Sequence, residues 1–530
     1  MKTQVCIIAP FLCEEGGNKE FKSRENLGIA YLTSYLLSKN ISTKMINAHD
    51  KCWNNEEVIS NLLNDSEAKV YGISCTSQRL YPYAKDLVKR IRKVYPKSHI
   101  TMGGIFPSME FDKILVDIPE LDTITVGEGE IPLYELCNAV INNSLEEFKT
   151  ISSLVYRRGK EIIYNPVENV RNYDGRPFPV REKINFDKYE EKFLRLLGGR
   201  GCYGKCSFCS TIKCYDYLQQ NKGKVYRDPE DIVSEIKSLI ESTGIHSFSF
   251  YDDIFYDRSK RGKEWVHKLC DLIKENDLNI DFNIKMRCDD IFEEEIKALK
   301  NAGLTTIFLG VESGVQRILD EMNKGITVET NIKAINMLRK YNIKIVYGFM
   351  GIVPTMTFAE LEENLKFIIN MGGYTERNLY NKLNLYSGCE YNDILERKGL
   401  LIKQKNFWER NNYRYFDEQV ELYSDIVDTL KSKLKDTKVK LNRIKLYSLN
   451  EPAYLKHYAD IERKYISWWK DCLLLLINEI KYKNIIIPEL SEALVNNVEV
   501  IIDFINIEYI KISNCISNAD ISEMDKEVDE

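Results

Sequence analysis

Along the first 145 residues, short β-branched runs alternate with longer stretches whose apolar positions recur every three or four residues. Runs at 4–8, 42–46, 70–74, 99–102 and 123–126 predict strands, and the periodic stretches at 27–39, 56–63, 82–94 and 131–141 predict helices. Strands and helices in alternation predict a parallel, doubly wound, Rossmann-like sheet over residues 1–145. The pattern then changes. Two short runs at 155–158 and 161–164 flank Gly159 and read as a hairpin, and Pro177 and Pro179 mark a linker, so residues 146–194 separate two larger units.

From about residue 195 the alternation resumes with a longer beat. Strands are expected at 193–197, 247–251, 281–286, 306–311, 344–349 and 381–386, with helices at 229–242, 262–276, 293–302, 328–341 and 358–371. Six β-then-α units in series predict an open, partial (βα)6 barrel over 195–400, because a full eight-fold barrel takes about 250 residues. Residues 401–530 read as helical, with aromatics at Trp408, Tyr413, Tyr415, Phe416, Trp468 and Trp469 and an acidic end. The fold class is therefore α/β, with a helical C-terminal region.

Composition narrows this picture. A chain of 530 residues with 44% hydrophobic and 29% charged positions is expected to fold as two or three globular domains. No apolar run approaches the roughly 18–20 residues that span a bilayer, so no membrane span is expected. Residues 1–8 read straight into a strand rather than a cleaved leader, which places the expected compartment in the cytoplasm. A formal charge of −6 gives no electrostatic reason to expect nucleic acid.

Fourteen cysteines in such a chain do not suggest a disulfide framework. Cys75, Cys137, Cys270 and Cys472 sit singly in apolar patterns and read as small buried hydrophobes. Only the stretch Gly198-Gly199-Arg200-Gly201-Cys202-Tyr203-Gly204-Lys205-Cys206-Ser207-Phe208-Cys209 crowds them, with C-x3-C-x2-C spacing after a strand. Thiolates suit zinc or iron–sulfur clusters. A closed zinc site takes four ligands, whereas three thiolates on a four-iron cluster leave one iron open to a ligand. Cys214 is a weaker candidate for a fourth ligand.

This loop resembles the signature of the radical S-adenosylmethionine enzymes. The resemblance implies one [4Fe-4S] cluster on Cys202, Cys206 and Cys209, with S-adenosylmethionine on the open iron and Phe208 near its adenine. Further contacts are implied at the strand ends, where ligands gather in such barrels. Asp252 and Asp253 would face the methionyl amine, although the family's neighbouring glycines are missing. Arg287 offers a fixed cation to the carboxylate. Glu312 and Ser313 would reach the ribose, Gly348 and Gly351 would line the adenine, and Ser387 stands in a pattern where the family has proline.

The first unit carries small or polar residues at its strand ends: Ser74, Thr76 and Ser77, then Gly103 and Gly104, then Gly127, Glu128, Gly129 and Glu130. Glycine lets backbone approach a flat, bulky ligand. A G-x-G-x-x-G fingerprint is absent after the first strand, and Glu14 and Glu15 stand there instead. With Leu27-Gly28-Ile29-Ala30-Tyr31-Leu32, these loops resemble the cobalamin-binding domain of cobalamin-dependent radical enzymes. No D-x-H-x-x-G loop is present, and His49 follows the second strand. Cobalamin is therefore expected to bind without a histidine ligand.

The resemblance covers residues 1–395 and implies methyl transfer to an unactivated carbon of a small molecule or peptide, with a flavodoxin or ferredoxin as electron donor. Cyclisation or ring rearrangement without net methylation is the alternative. A non-catalytic cluster carrier is a second alternative, and it leaves the polar strand ends unexplained.

Overall fold

The computed structural model describes residues 2–11, 25–166, 175–181, 193–211, 223–450, 454–483 and 492–515. Cys214, Glu14 and Glu15 lie outside them.

The first unit is built as β1 (Val5–Ala9), α1 (Leu27–Ser38), β2 (Thr43–Asn47), α2 (Asn55–Leu63), β3 (Val70–Ser74), α3 (Tyr81–Val94), β4 (His99–Gly103), α4 (Ile105–Asp117), β5 (Thr123–Thr125) and α5 (Glu130–Ile141). Its sheet runs in the order β2-β1-β3-β4-β5, all parallel. Strand β1 is buried along its whole length, as expected of a parallel strand covered on both faces. The hairpin forms as β6 (Leu154–Arg158) and β7 (Glu161–Tyr164), and β6 pairs antiparallel with β5. The hairpin thus extends the first sheet.

Helix α4 is absent from the sequence expectation. Pro107 sits in its first turn and Glu110 takes non-helical φ/ψ of −128° and 26°, so the helix is kinked and its apolar period is broken.

The second unit begins with β8 (Leu194–Leu196), then a two-residue ladder of β9 (Gly199–Arg200) with β10 (Val225–Tyr226). It continues through α6 (Pro229–Thr243), β11 (Ser247–Phe250), α7 (Lys260–Glu275), β12 (Asp281–Arg287), α8 (Glu293–Asn301), β13 (Leu304–Glu312), α9 (Gln316–Glu321), α10 (Val328–Lys340), β14 (Lys344–Phe349), α11 (Phe358–Met371) and α12 (Glu376–Tyr380). Local signals set the helix ends. Asp228 caps α6 ahead of Pro229, Gly244 closes it at φ 69°, and Thr357 with Glu360 forms a capping box on α11.

The sheet order β8-β11-β12-β13-β14 is parallel throughout. Strand pleating divides its residues between two environments. Leu196, Phe250, Ile284, Met286, Leu309 and Tyr347 join the outer core beneath the helices. Arg195, Tyr251, Lys285, Phe308 and Val346 alternate with them and turn to the inner face. The sixth βα unit contributes a single parallel bridge, Ile352 to Lys382, where a full strand at 381–386 is expected. The described part of the barrel is therefore open on that side.

The C-terminal region is α13 (Tyr391–Arg397), a short antiparallel ladder of β15 (Leu401–Ile402) with β16 (Asn412–Tyr413) where helix is expected, then α14 (Glu418–Lys433), α15 (Lys435–Asn450), α16 (Leu455–Lys483) and α17 (Glu492–Cys515). Tyr423, Tyr465 and Trp469 share the barrel's outer core, so these tail aromatics pack rather than bind. Phe407 and Trp408 instead reach back to Tyr81 of the first unit, with ring centroids 5.3 and 6.5 Å away. No helix among the described residues is long and apolar enough to cross a membrane.

Candidate functional site

The three cysteines sit on the loop that leaves β9, half-buried and unpaired with one another. Contacts from distant elements hold that loop. The Ser207 amide donates to the Met322 carbonyl at 2.9 Å, and the Tyr391 amide donates to the Ser207 carbonyl at 2.9 Å. Gly204 leaves the space between two thiols open: a Cβ there would lie 3.4 Å from Cys202 Sγ, 3.7 Å from Cys206 Sγ and 3.1 Å from Arg287 Nη1. That cradle fits a cluster seated among the thiols. Among the described residues, no three Cys, His, Asp or Glu side chains converge as ligands of one ion. A cluster does not require this, because each thiolate binds a different iron. Burial pushes the Cys202 thiol up to about 12, so iron must displace its proton.

The inner rim departs from the expected roles. Arg287 turns to the cysteine loop: Nη1 donates to Cys206 Sγ at 3.5 Å, Nη2 to the Lys324 carbonyl at 2.6 Å and Nε to Asp289 at 2.9 Å. These bonds tie Arg287 to the cysteine loop, where its charge supports a thiolate. Asp252 is fully buried against Lys224 and also accepts from the Gly198 amide at 2.9 Å. It anchors the turn before the cysteines and leaves Asp253, which is exposed, as the carboxylate at the mouth. Burial raises the Asp252 carboxyl above its usual range, although Lys224 opposes this.

Glu312 sits at φ 63°, a left-handed conformation costly for a side chain. A bulge between Gly310 and Glu312 turns it towards Lys324, whose ammonium donates to it at 2.8 Å. Ser313 is wholly buried; its hydroxyl donates to Asn364 Oδ1 at 2.9 Å and accepts from the Val315 amide. Asn364 also donates to the Met350 and Gly351 carbonyls, tying the ends of β13 and β14 together. Ser313 thus ties the end of β13 to α11.

Gly351 is required by close backbone approach, because a Cβ there would sit 2.7 Å from the Leu379 carbonyl oxygen. A Cβ on Gly348 would press on the Phe308 ring at 3.0 Å. Phe208 packs against the apolar cluster containing Val353, Met356 and Leu385. Ser387 bonds across to the first unit, its amide donating to Gln78 Oε1 at 2.8 Å and its hydroxyl to Glu110.

Arg287 and Lys324 bring two cations to the cluster loop, and cations favour the reduced cluster. Arg287→Ala is therefore expected to lower the cluster's reduction potential. A unit charge about 5 Å away at an effective dielectric of about 20 is worth roughly 3 kcal/mol, and water entering the gap screens part of it. A fall of about 50 mV or more in an electron paramagnetic resonance redox titration is expected. An unchanged potential would contradict this role.

The first unit holds a cavity of about 290 Å³ on the sheet face covered by α1 and α5. Ser74, Thr76, Gly103, Gly104, Gly127, Glu128 and Glu130 all line it, while Ser77 is not in its wall. Gly28, Tyr31, Gly72 and Thr101 complete its small-residue side. Among the described residues the Tyr31 hydroxyl is buried without a hydrogen-bond partner, and the Arg200 guanidinium lies 5.7 Å from the ring centroid.

Gly104 serves the backbone first: at φ 116°, its Cβ would meet the Cys75 carbonyl oxygen at 2.6 Å. Glu128 and Glu130 face Arg200 of β9, with Glu130 Oε1 2.6 Å from Arg200 Nη2 and 3.0 Å from Arg176 Nη1. These carboxylates latch the two units together. The named wall contains no histidine. His49 lies against Phe11, with ring centroids 5.5 Å apart and planes tilted by 36°, beyond the end of the edge strand β2.

Comparison with known proteins agrees with this geometry. A model described as the B12 binding domain matches residues 24–137, and one described as the radical SAM superfamily matches residues 196–368. An uncharacterized methyltransferase, PH0819, of Pyrococcus horikoshii is 27% identical over 347 residues, 64% of this chain and 72% of its own length. The anaerobic magnesium-protoporphyrin IX monomethyl ester cyclase of Cereibacter sphaeroides is 26% identical over 387 residues, 68% of this chain and 61% of its own. The solved structure of the cobalamin-dependent S-adenosylmethionine radical enzyme OxsB, with aqua-cobalamin and S-adenosylmethionine bound, superposes with a TM-score of 0.79 at 17% identity. That superposition covers 100% of this chain and 83% of OxsB.

Proposed function

We propose that this chain, a member of the cobalamin-dependent radical S-adenosylmethionine enzymes, transfers a methyl group to an unactivated carbon of a small molecule or peptide. The supporting observation is that the first unit's cavity ends on Leu197 and Arg200, and Arg200 stands two residues before Cys202. The site that fits a corrinoid and the loop that fits the cluster are thus parts of one continuous wall.

When bound, the cluster supplies the electron that cleaves S-adenosylmethionine, and the corrinoid carries the methyl group. The chain's own residues do the positioning. Glu128 and Glu130 fix Arg200, and with it the start of the cysteine loop. Asp252 and Lys224 fix Gly198 just before it. Arg287 and Lys324 hold positive charge at Cys206, and Asn364 fixes the ends of β13 and β14. Asp253, exposed at the end of β11, and the Gly348–Gly351 segment are the groups that would meet S-adenosylmethionine. Small side chains at Ser74, Gly103 and Gly127 leave room for a corrin without an axial histidine. In this reading an external flavodoxin or ferredoxin is the electron donor and the enzyme works in the cytoplasm.

Product analysis tests the proposal. Anaerobic turnover of cluster- and cobalamin-loaded enzyme with a cell extract should release 5′-deoxyadenosine and S-adenosylhomocysteine together, with a product heavier by one methyl group. Release of 5′-deoxyadenosine alone would favour cyclisation or rearrangement, and release of neither would favour a cluster carrier.

A further inference from the structure

The inner face of the barrel sheet carries charge that none of these roles uses. Strand register places Lys285, Phe308 and Val346 side by side in one layer, directly below the layer of Arg287, Gly310 and Gly348, and Tyr251, just past the end of β11, lies against Lys285. Tyr251, Phe308 and Val346 are 40, 43 and 40% exposed even though they point into the barrel. That layer is open space rather than packed core.

Lys285 places its ammonium 4.1 Å from the centroid of the Tyr251 ring, and the Arg195 guanidinium carbon lies 4.3 Å from the same centroid. Arg195 has further partners, among them the Glu25 carbonyl, which accepts from Nη1 at 3.0 Å. Among the described residues no carboxylate pairs with Lys285, whose ammonium lies over the ring. Contact with an aromatic face compensates only part of a cation's lost hydration. Two cations gathered on one ring repel each other unless an anion joins them. In a chain of net charge −6, this local inversion selects for negative ligands at the floor of the chamber.

We propose that Lys285, with Arg195, binds an oxyanion of the substrate, either a carboxylate or a phosphate or phosphonate. Tyr251, Phe308 and Val346 receive the adjoining apolar part, one layer below S-adenosylmethionine. The assignment rests on reading the barrel interior as the reaction chamber. It makes Lys285 a specificity-determining residue, since loss of a charge-assisted hydrogen bond typically costs roughly ten- to a hundred-fold in affinity.

Calorimetry on the full-length, cluster-reconstituted protein tests this. The protein is kept oxidised so that no turnover occurs, saturated with S-adenosylmethionine, and titrated with inorganic phosphate or with acetate. At least one anion should saturate. Lys285→Met should weaken that isotherm about tenfold or more, and Lys285→Arg should restore most of it. Unchanged cluster absorbance in both variants shows that they fold. Saturation by phosphate alone assigns a phosphate or phosphonate head, and saturation by acetate alone assigns a carboxylate. If both saturate, the tighter one names the class.

Two results would overturn the proposal: no saturation by either anion, or equal binding by Lys285→Met and wild type. Because the titration needs no turnover, an enzyme that does not methylate could still give the isotherm, and a methyltransferase could still give none. The two failures are therefore distinct.

Discussion

Replacing any one of Cys202, Cys206 or Cys209 with alanine is expected to abolish the iron–sulfur absorbance and all cleavage of S-adenosylmethionine. Each thiolate would hold a separate iron, so no neighbour can take over a missing bond. Disturbing an outer partner of a metal ligand already costs roughly 10–100-fold in affinity or activity, and removing a ligand goes further. The loop itself should survive these changes, because Ser207 is pinned to Met322 and Tyr391 by its backbone rather than by the cysteines. Circular dichroism should therefore match the wild type while iron content falls. Cys214→Ala should keep the full cluster. Normal iron content and activity in any one of the three variants would refute the assignment.

What could be read in the chain follows from how locally each feature is encoded. The three-cysteine spacing, the alternation of strands and helices and the small residues at 74, 103–104 and 127–130 are written in consecutive residues, and the fold keeps them. The rim roles are not written that way. Asp252 meets Lys224 across 28 positions, Glu312 meets Lys324 across 12, and Ser313 meets Asn364 across 51. A polar residue at a strand end reads the same whether a ligand or a lysine will satisfy it, and only the tertiary structure names the partner.

Helix α4 was hidden for a different reason. Its kink at Glu110 breaks the period on which such a reading depends. The sixth strand failed in the opposite direction: residues 381–386 carry a strand-like pattern, yet beyond β14 the ladder holds only at Lys382. Arg200 lay in plain sight within the cysteine stretch. Its role as a latch depends on Glu128 and Glu130, which come from another unit.

Filling the first unit's cavity is expected to expel cobalamin while leaving the barrel folded. Gly104→Trp is the obvious probe, but it confounds two effects. Any side chain at that left-handed position strikes the Cys75 carbonyl, so lost binding would also report a damaged loop. Gly72→Leu is the cleaner change. Gly72 lies on β3 in the cavity wall, and its Cβ would meet only Ile7 and Thr101, at the ordinary distances of 3.8 and 3.9 Å. The remaining carbons must then project into the cavity, where they compete with a ligand rather than with packed core. A loss of about 100-fold in cobalamin affinity, or about 2.8 kcal/mol, is expected, with cluster absorbance retained.

His49→Ala should change neither the bound corrinoid nor the cobalt(II) electron paramagnetic resonance spectrum, because His49 lies against Phe11 and is not in the cavity wall. Nitrogen hyperfine splitting in the wild-type spectrum would refute binding without a histidine. Stoichiometric cobalamin in Gly72→Leu would show that the corrinoid sits elsewhere.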